Sequence, residues 1–116
     1  MSTPQGSRIS LETAVDMTRL YRESRPQNFP VCETFSKDLV QWLLNNDECV
    51  SLRIYYGMKP DQTVHAILVG ADKDGKDIIP SSANRTNRDG GDEDDPLLED
   101  AWRCPTICPP PSPLNP

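Results

Sequence analysis

Two of the four cysteines, Cys104 and Cys108, lie near each other in a proline-rich segment. Such a pair can form a disulfide, act as a redox pair or bind zinc, and it can also remain as plain packed thiols. A structural zinc site needs two further ligands, for which Cys32, Cys49 and His65 are the candidates. Since no second local cysteine pair exists, a thiol-based metal-binding or redox module, with zinc as its possible cofactor, is the alternative function.

His65 is the only histidine, so a Ser-His-Asp or Cys-His mechanism would have to use it. It follows Val64 in a predicted strand, where a half-buried or interface histidine is expected. The sequence contains no Gly-x-Ser-x-Gly motif, phosphate-binding loop or dinucleotide fingerprint. We therefore predict a protein that is not an enzyme and has no cofactor.

The chain is acidic, with a formal net charge of -6 and a pI near 4.6. Nucleic acids and anionic membranes are bound through clustered Lys and Arg, so neither is an expected partner. No secretion signal is visible at residues 1–6 and no apolar run approaches about 20 residues, which predicts a cytoplasmic protein. In such a reducing compartment cysteines are free thiols by default, with metal binding or redox chemistry as the alternatives.

Acidic residues concentrate in one short stretch. A cation site or a basic partner could use them, but their spacing is irregular and fits a solvated linker better. The stretch comprises Asp89, Asp92, Glu93, Asp94, Asp95, Glu99 and Asp100.

The composition divides the chain into four segments. They are a polar N-terminal segment (1–8), an α+β domain (9–79), an acidic Gly/Asn/Asp-rich linker (80–100) and a Cys/Pro-rich tail (101–116). A domain of roughly 70 residues buries only about 60% of its extended-chain surface and is marginally stable alone. The tail cannot continue a helix, so we expect a solvated extension or a strap across a surface.

Hydrophobic periodicity predicts two helices and then strands. Ser10 suits an N-cap and Pro26 ends the first helix near Ser24, while a second helix begins at Thr34 or Ser36 and stops at Asn45. From Cys49 the period changes to two. The predicted strands are 49–56, 63–70 and, after a hairpin at Asp74 and Gly75, 76–79. The predicted fold is α+β, with two N-terminal helices packed on a three-stranded antiparallel meander and an irregular C-terminal extension.

The middle predicted strand is apolar on both faces, whereas the two helices can cover only one. The other face would be covered by the tail, by a second subunit, or partly by nothing. A contiguous apolar patch on a protein surface usually marks an interaction site. We therefore predict a non-catalytic structural or protein-interaction module that self-associates as a homo-oligomer or larger assembly, with its tail strapped onto the same or a neighbouring subunit. The expected contacts are Arg53, Tyr55, Ile67, Val69, Trp102 and Ile107.

Three segments together carry a resemblance. They are the strand CVSLRIYYG (49–57), the turn LVGAD (68–72) with Gly75, and Cys104-Pro105 with Cys108 ahead of Ser112-Pro113-Leu114. In these segments the chain resembles a group of small uncharacterised bacterial proteins, over most of its length from Ile9 onward. That resemblance implies no established activity, so it transfers no functional residue.

Overall fold

A computed structural model describes residues 5–79 and 95–116. The elements are α1 (Leu11–Ser24), β1 (Cys32–Thr34), α2 (Lys37–Leu44), β2 (Ser51–Met58), β3 (Val64–Ala71), β4 (Leu97–Leu98) and β5 (Trp102–Cys104). Strands β2, β3 and β4 form an antiparallel sheet in that order, and β1 and β5 form a separate two-stranded antiparallel ribbon. The mixed α+β class and the three-stranded antiparallel sheet are therefore confirmed.

The predicted acidic linker (80–100) lies mostly outside the described residues, including its acids at 89 and 92–94. Its last residues belong to the fold, because β4 pairs with β3 and Lys59 contacts Glu99 at 3.1 Å and Asp100 at 3.4 Å. The division into four segments stays a prediction.

Both helices begin after a serine cap, α1 after the expected Ser10 and α2 after Ser36, one of its two predicted starting positions. The Ser10 side chain accepts a hydrogen bond from the Thr13 amide, and the Ser36 side chain accepts one from the Leu39 amide, which satisfies amides that the helix itself leaves without a partner. Local capping chemistry thus sets where α1 and α2 start.

Only α2 packs on the sheet through a buried core residue. Its Leu43 forms the core cluster with Leu68 of β3 and Leu98 of β4, whereas α1 contains no buried residue. In α1, Tyr21 donates to the Pro30 carbonyl and Arg22 donates to the tail. The structure therefore supports packing on the sheet for α2, whereas α1 buries no residue there.

The third strand does not come from residues 76–79. The turn forms as expected, with Gly75 at a φ of 82° and the Asp72 amide donating to Lys76, but only an isolated bridge from Ala71 to Asp77 follows it. The third strand is β4 instead, opposite Leu68 and Val69. A two-residue strand after an acidic run has no periodicity that a sequence pattern could reveal.

Strand β3 has hydrogen-bonding partners along both of its edges. One edge carries the ladder to β2. On the other edge, Val64 N donates to Asn28 O (2.9 Å) and Ala66 N donates to Glu33 Oε1 (2.7 Å). Further along that edge, Leu68 and Val69 pair with β4, and Gly70 O accepts from Ile78 N (2.9 Å). Because both edges are paired, β3 is the central strand of the sheet.

Candidate functional site

The outer edge of β2 is open within the described residues. Val64, Ala66 and Gly70 direct backbone groups away from β2, as their bonds to other segments show. In an antiparallel ladder, residues directly opposite one another both point into the pair or both point away from it. The partners of these three residues, Met58, Tyr56 and Leu52, therefore direct their N–H and C=O groups outward. Among residues 5–79 and 95–116, no strand pairs with that edge.

Alternate side chains of β2 add an exposed apolar row on one face of the sheet. The row lies on the face that carries Leu68, the residue opposite Ile54. Exposed apolar side chains beside an unpaired strand edge are a typical basis for association between chains. The row consists of Leu52 (41% exposed), Ile54 (48%), Tyr56 (76%) and Met58 (62%).

An open groove of about 520 Å³ lies beside this row. Ile54 and Tyr56 of β2 contribute to its lining together with β3 residues such as Leu68, and Tyr21 of α1 also lines it. The segment between α1 and α2 also lines the groove, through Phe29, Pro30, Val31, Cys32, Glu33 and Phe35. The exposed row of β2 thus borders a largely apolar depression in the surface of the chain.

Strand β2 itself lacks the sequence features that usually protect an edge strand against pairing. Edge strands are commonly kept apart by lysine, proline, bulges or short length, whereas β2 has eight residues and contains neither lysine nor proline. Its only charged side chain, Arg53, donates to Asp77 Oδ1 at 2.6 Å and to the Gly75 carbonyl at 3.0 Å. That charge is held within the chain, on the face opposite the exposed row.

Asp77 connects two polar side chains of β2, those of Arg53 and Tyr55. Tyr55 donates its hydroxyl to Asp77 Oδ2 at 2.6 Å. This hydrogen bond, followed by that from Arg53, lowers the pKa of Asp77 below its ordinary value. The same hydrogen bond to Asp77 raises the pKa of Tyr55. Arg53 and Tyr55, both expected interface residues, therefore form a polar clamp within the chain.

The other expected contacts lie in different surroundings. Val69 is 0% exposed and belongs to the core, so its side chain offers no surface to a partner. Ile67 is half-buried near Gly57, where an added Cβ would lie 2.8 Å from Ile67 Cδ1. Trp102 and Ile107 are exposed, and Trp102 lines a separate cavity beside α2. The six residues thus do not form one exposed surface, and the four apolar residues of the β2 row were not among them.

A buried polar network joins the ribbon to β3. Arg103, opposite Glu33 in the ribbon, donates to the carbonyls of Val64 and Asn28 and lies 3.5 Å from Glu33 Oε2. Nδ1 of His65 lies 3.6 Å from the same carboxylate oxygen. Sequence reasoning missed this network, because a single Glu and a single Arg in separate segments give no local pattern.

The network resembles a hydroxyl–imidazole–carboxylate relay, but its geometry favours a structural role. The Thr63 hydroxyl lies 2.7 Å from His65 Nε2 and 2.6 Å from Asp61 Oδ1. The 3.6 Å between His65 Nδ1 and Glu33 exceeds a hydrogen bond, and Asp61 competes for the hydroxyl proton. These hydrogen bonds hold the start of β3 in place, and the absence of enzymatic activity stays a prediction.

The four cysteines are not assembled into a metal site within the described part of the chain. Cys104 and Cys108 are bonded to each other, and Cys32 and Cys49 are free. Cys49 donates to the Ser51 carbonyl, while His65 belongs to the buried network. Over the described ranges no three His, Cys, Asp or Glu side chains are placed to hold a metal ion. The candidate zinc ligands are therefore not brought together there.

No helix among the described residues has the length and apolar character needed to cross a membrane. The sequence matches no protein-family model, no curated protein and no solved structure. The resemblance to small bacterial proteins accordingly stays a prediction.

Proposed function

We propose that the chain is a non-catalytic structural or protein-interaction module that self-associates by pairing β2 with β2 of a second copy. The proposal rests on one observation, which is that β2 combines an open backbone edge with exposed apolar side chains. The residues whose backbone groups point to the open edge include Leu52, Tyr56 and Met58, and the same residues present exposed apolar side chains. Pairing would satisfy the backbone groups and remove apolar surface from water together.

A second copy of this chain fits the edge because the strand complements itself. In a two-fold antiparallel pair centred on Tyr55, Ile54 of each copy lies opposite Tyr56 of the other. Aromatic and β-branched residues form favourable cross-strand pairs. The same register sets each Arg53 opposite Gly57, which avoids a pair of like charges across the interface.

The contacts of the tail support the proposal that it is strapped onto its own chain. Its β5 pairs with β1, and its Leu114 carbonyl accepts from Arg22 of α1 at 2.6 Å. Polyproline segments are already extended, so ordering them on a surface loses less entropy than ordering a flexible peptide. Self-association through β2 leaves these contacts in place.

The test is a proline at the open edge. Ile54→Pro removes an outward N–H, not a bond of the β2–β3 ladder. Native mass by light scattering should give a multiple of the 13.0 kDa protomer for the unmodified chain and the protomer mass for the variant. Ile54→Thr is the matched control, because it also shortens the apolar side chain but keeps the N–H, and it should weaken association less than the proline does.

Two outcomes would overturn self-association through β2. One is a protomer mass for the unmodified chain at all concentrations up to the solubility limit. The other is an Ile54→Pro variant that remains folded by circular dichroism and keeps the assembled mass.

The second candidate function is a thiol-based redox module that uses Cys104 and Cys108. It is favoured by the bond between these two residues. A reversible change in electrophoretic mobility or thiol titre on reduction, lost in Cys104→Ser, would support it. A chain whose two thiols stay reduced under mild oxidation would exclude it.

A further inference from the structure

A third cysteine lies directly across the ribbon from the disulfide. The register of β1 and β5 sets Cys32 opposite Cys104 and Glu33 opposite Arg103. Opposed residues in antiparallel strands project to the same face with their Cβ atoms about 4.5–5.5 Å apart. That distance is close to the roughly 3.5–4.5 Å Cβ separation that a disulfide needs. The Glu33–Arg103 pair occupies the other face, since side chains alternate along a strand.

The tail contacts both cysteines independently of the ribbon register. A cavity of about 240 Å³ is lined by Cys32 and by tail residues including Leu114 and Asn115. The Asn115 side-chain amide donates to Cys104 Sγ at 3.9 Å. Asn115 thus borders the cavity of Cys32 and contacts the sulfur of Cys104, which supports the proximity of the two cysteines.

The three cysteines differ in their access to solvent. Cys104 is 3% exposed, Cys32 is half-buried and Cys108 is exposed. A thiol from solution is therefore hindered from reaching the sulfur of Cys104, whereas Cys32 is the residue directly opposite Cys104 in the ribbon. Cys108 is the better leaving group, because water can solvate its thiolate.

We propose that Cys32, Cys104 and Cys108 form an intramolecular thiol–disulfide exchange centre. The Cys32 thiolate attacks Cys104 Sγ, so that the Cys32–Cys104 bond forms and the Cys104–Cys108 bond breaks. The electron pair leaves on Cys108 Sγ, which takes up a proton equivalent to the one that Cys32 released to water. One disulfide replaces another, so no oxidant or reductant is consumed.

Exchange moves both the cross-link and the free thiol. The Cys104–Cys108 bond closes a loop between residues four apart in sequence, whereas a Cys32–Cys104 bond would join β1 to β5 and cross-link segments far apart in the chain. The free thiol would move from half-buried Cys32 to exposed Cys108 in the tail. There its thiolate can attack a low-molecular-weight disulfide, whose S–S bond breaks as the mixed disulfide forms and one low-molecular-weight thiol leaves, which makes Cys108 the modification site. This inference rests on the second candidate function and is independent of self-association.

The two disulfide isomers can be distinguished by peptide mapping of the full chain. After the free thiols are capped with N-ethylmaleimide, trypsin releases Cys32 in peptide 23–37, Cys49 in 38–53 and Cys104 with Cys108 in 104–116. The first isomer gives an internally bonded 104–116 and a capped Cys32. The exchanged isomer gives 23–37 joined to 104–116, with Cys108 capped.

The rate at which Cys108 is capped in the oxidised chain tests the exchange. In the unmodified chain, Cys108 should be capped at least about tenfold faster than in Cys32→Ser, since only exchange releases its thiol. Cys49→Ser, the matched control, should behave as the unmodified chain does. In Cys108→Ser, oxidation with diamide should join Cys32 to Cys104 within one chain.

The outcomes separate the exchange from the redox pair. If 104–116 never carries an internal disulfide, the redox pair fails and the exchange fails with it. If that disulfide is present but Cys108 is capped equally slowly with and without Cys32, the redox pair stands and the exchange is wrong. Failure of Cys108→Ser to form the Cys32–Cys104 bond would also contradict the exchange.

Discussion

Strands β2 and β3 are paired along eight residues each, yet they lie in opposite environments. Most of β3 is buried and both of its edges have partners, whereas β2 exposes alternate apolar side chains beside an open edge. The difference comes from distant segments, namely α2, β4 and the ribbon, which all pack against β3. It shows that an apolar strand face becomes core or stays exposed according to the segments that pack against it.

Removing the Arg103 side chain should have the largest effect, because it detaches the ribbon from the edge of β3. Arg103→Ala deletes donors to Val64 and Asn28 and leaves the buried Glu33 carboxylate without its cation. Breaking a buried ion pair by removing one partner costs about 3–5 kcal/mol. We expect a loss of that size in the free energy of unfolding, measured with urea at fixed protein concentration.

The matched control for Arg103 is an exposed arginine. Arg19→Ala removes a pair with Asp16 whose two side chains are both more than half exposed, and such pairs contribute about 0–1 kcal/mol. Equal losses for the two arginine variants would contradict the role given to Arg103.

Truncation of two residues that face each other in the sheet compares the strands directly. Leu68→Ala in β3 removes a buried core side chain and should lower the free energy of unfolding by about 2–5 kcal/mol. Its register partner in β2, Ile54, is half exposed, so Ile54→Ala should cost less than about 1 kcal/mol in dilute protein.

The cost of Ile54→Ala should grow at concentrations where copies associate, because the assembled state then contributes to stability. Leu68→Ala should show little such dependence. A cost for Ile54→Ala that stays the same over the whole concentration range would count against pairing through β2.

The smallest effect is expected at the polar clamp. Hydrogen bonds from Tyr55 and Arg53 lower the pKa of Asp77 in the folded chain. Their contribution is therefore complete above the ordinary aspartate pKa, about 3.9, and is lost as the pH falls through the lower native pKa. Asp77→Asn should be less stable than the unmodified chain at neutral pH, and the difference should shrink below about pH 4.

Urea unfolding at several pH values measures that difference. Asp74→Asn is the control, because this exposed carboxylate lies in the same turn but has no part in the clamp. A gap between Asp77→Asn and the unmodified chain that is constant with pH would show that the carboxylate is not held as described.

The sequence predicted those elements that carry their own local signals. Ser10 and Ser36 indicate where the helices start, because a capping serine binds an amide only three residues further along the chain. The alternation from Val50 to Tyr56 likewise predicts β2 to within two residues at each end. Elements of eight residues or more thus emerged from periodicity and caps alone.

The ribbon, β4 and the buried network could not be predicted in this way. Cys32–Thr34 and Trp102–Cys104 are too short to show a period and meet only through the fold. The sequence did identify a surplus of apolar residues in the sheet, but it assigned the exposed face to Val69, which the fold buries. Which face stays open depends on segments whose packing no local pattern encodes.

Arg103 has a consequence for the order in which the chain folds. It donates to the carbonyls of Asn28 and Val64 across separations of 75 and 39 residues. During synthesis β2 and β3 emerge long before β5, so the Glu33 carboxylate has no cation from β5 until residue 103 has been made. We therefore expect β2 and β3 to pair first as a hairpin and the ribbon to form afterwards. The rate of that second step should be limited by contacts between residues far apart in the sequence.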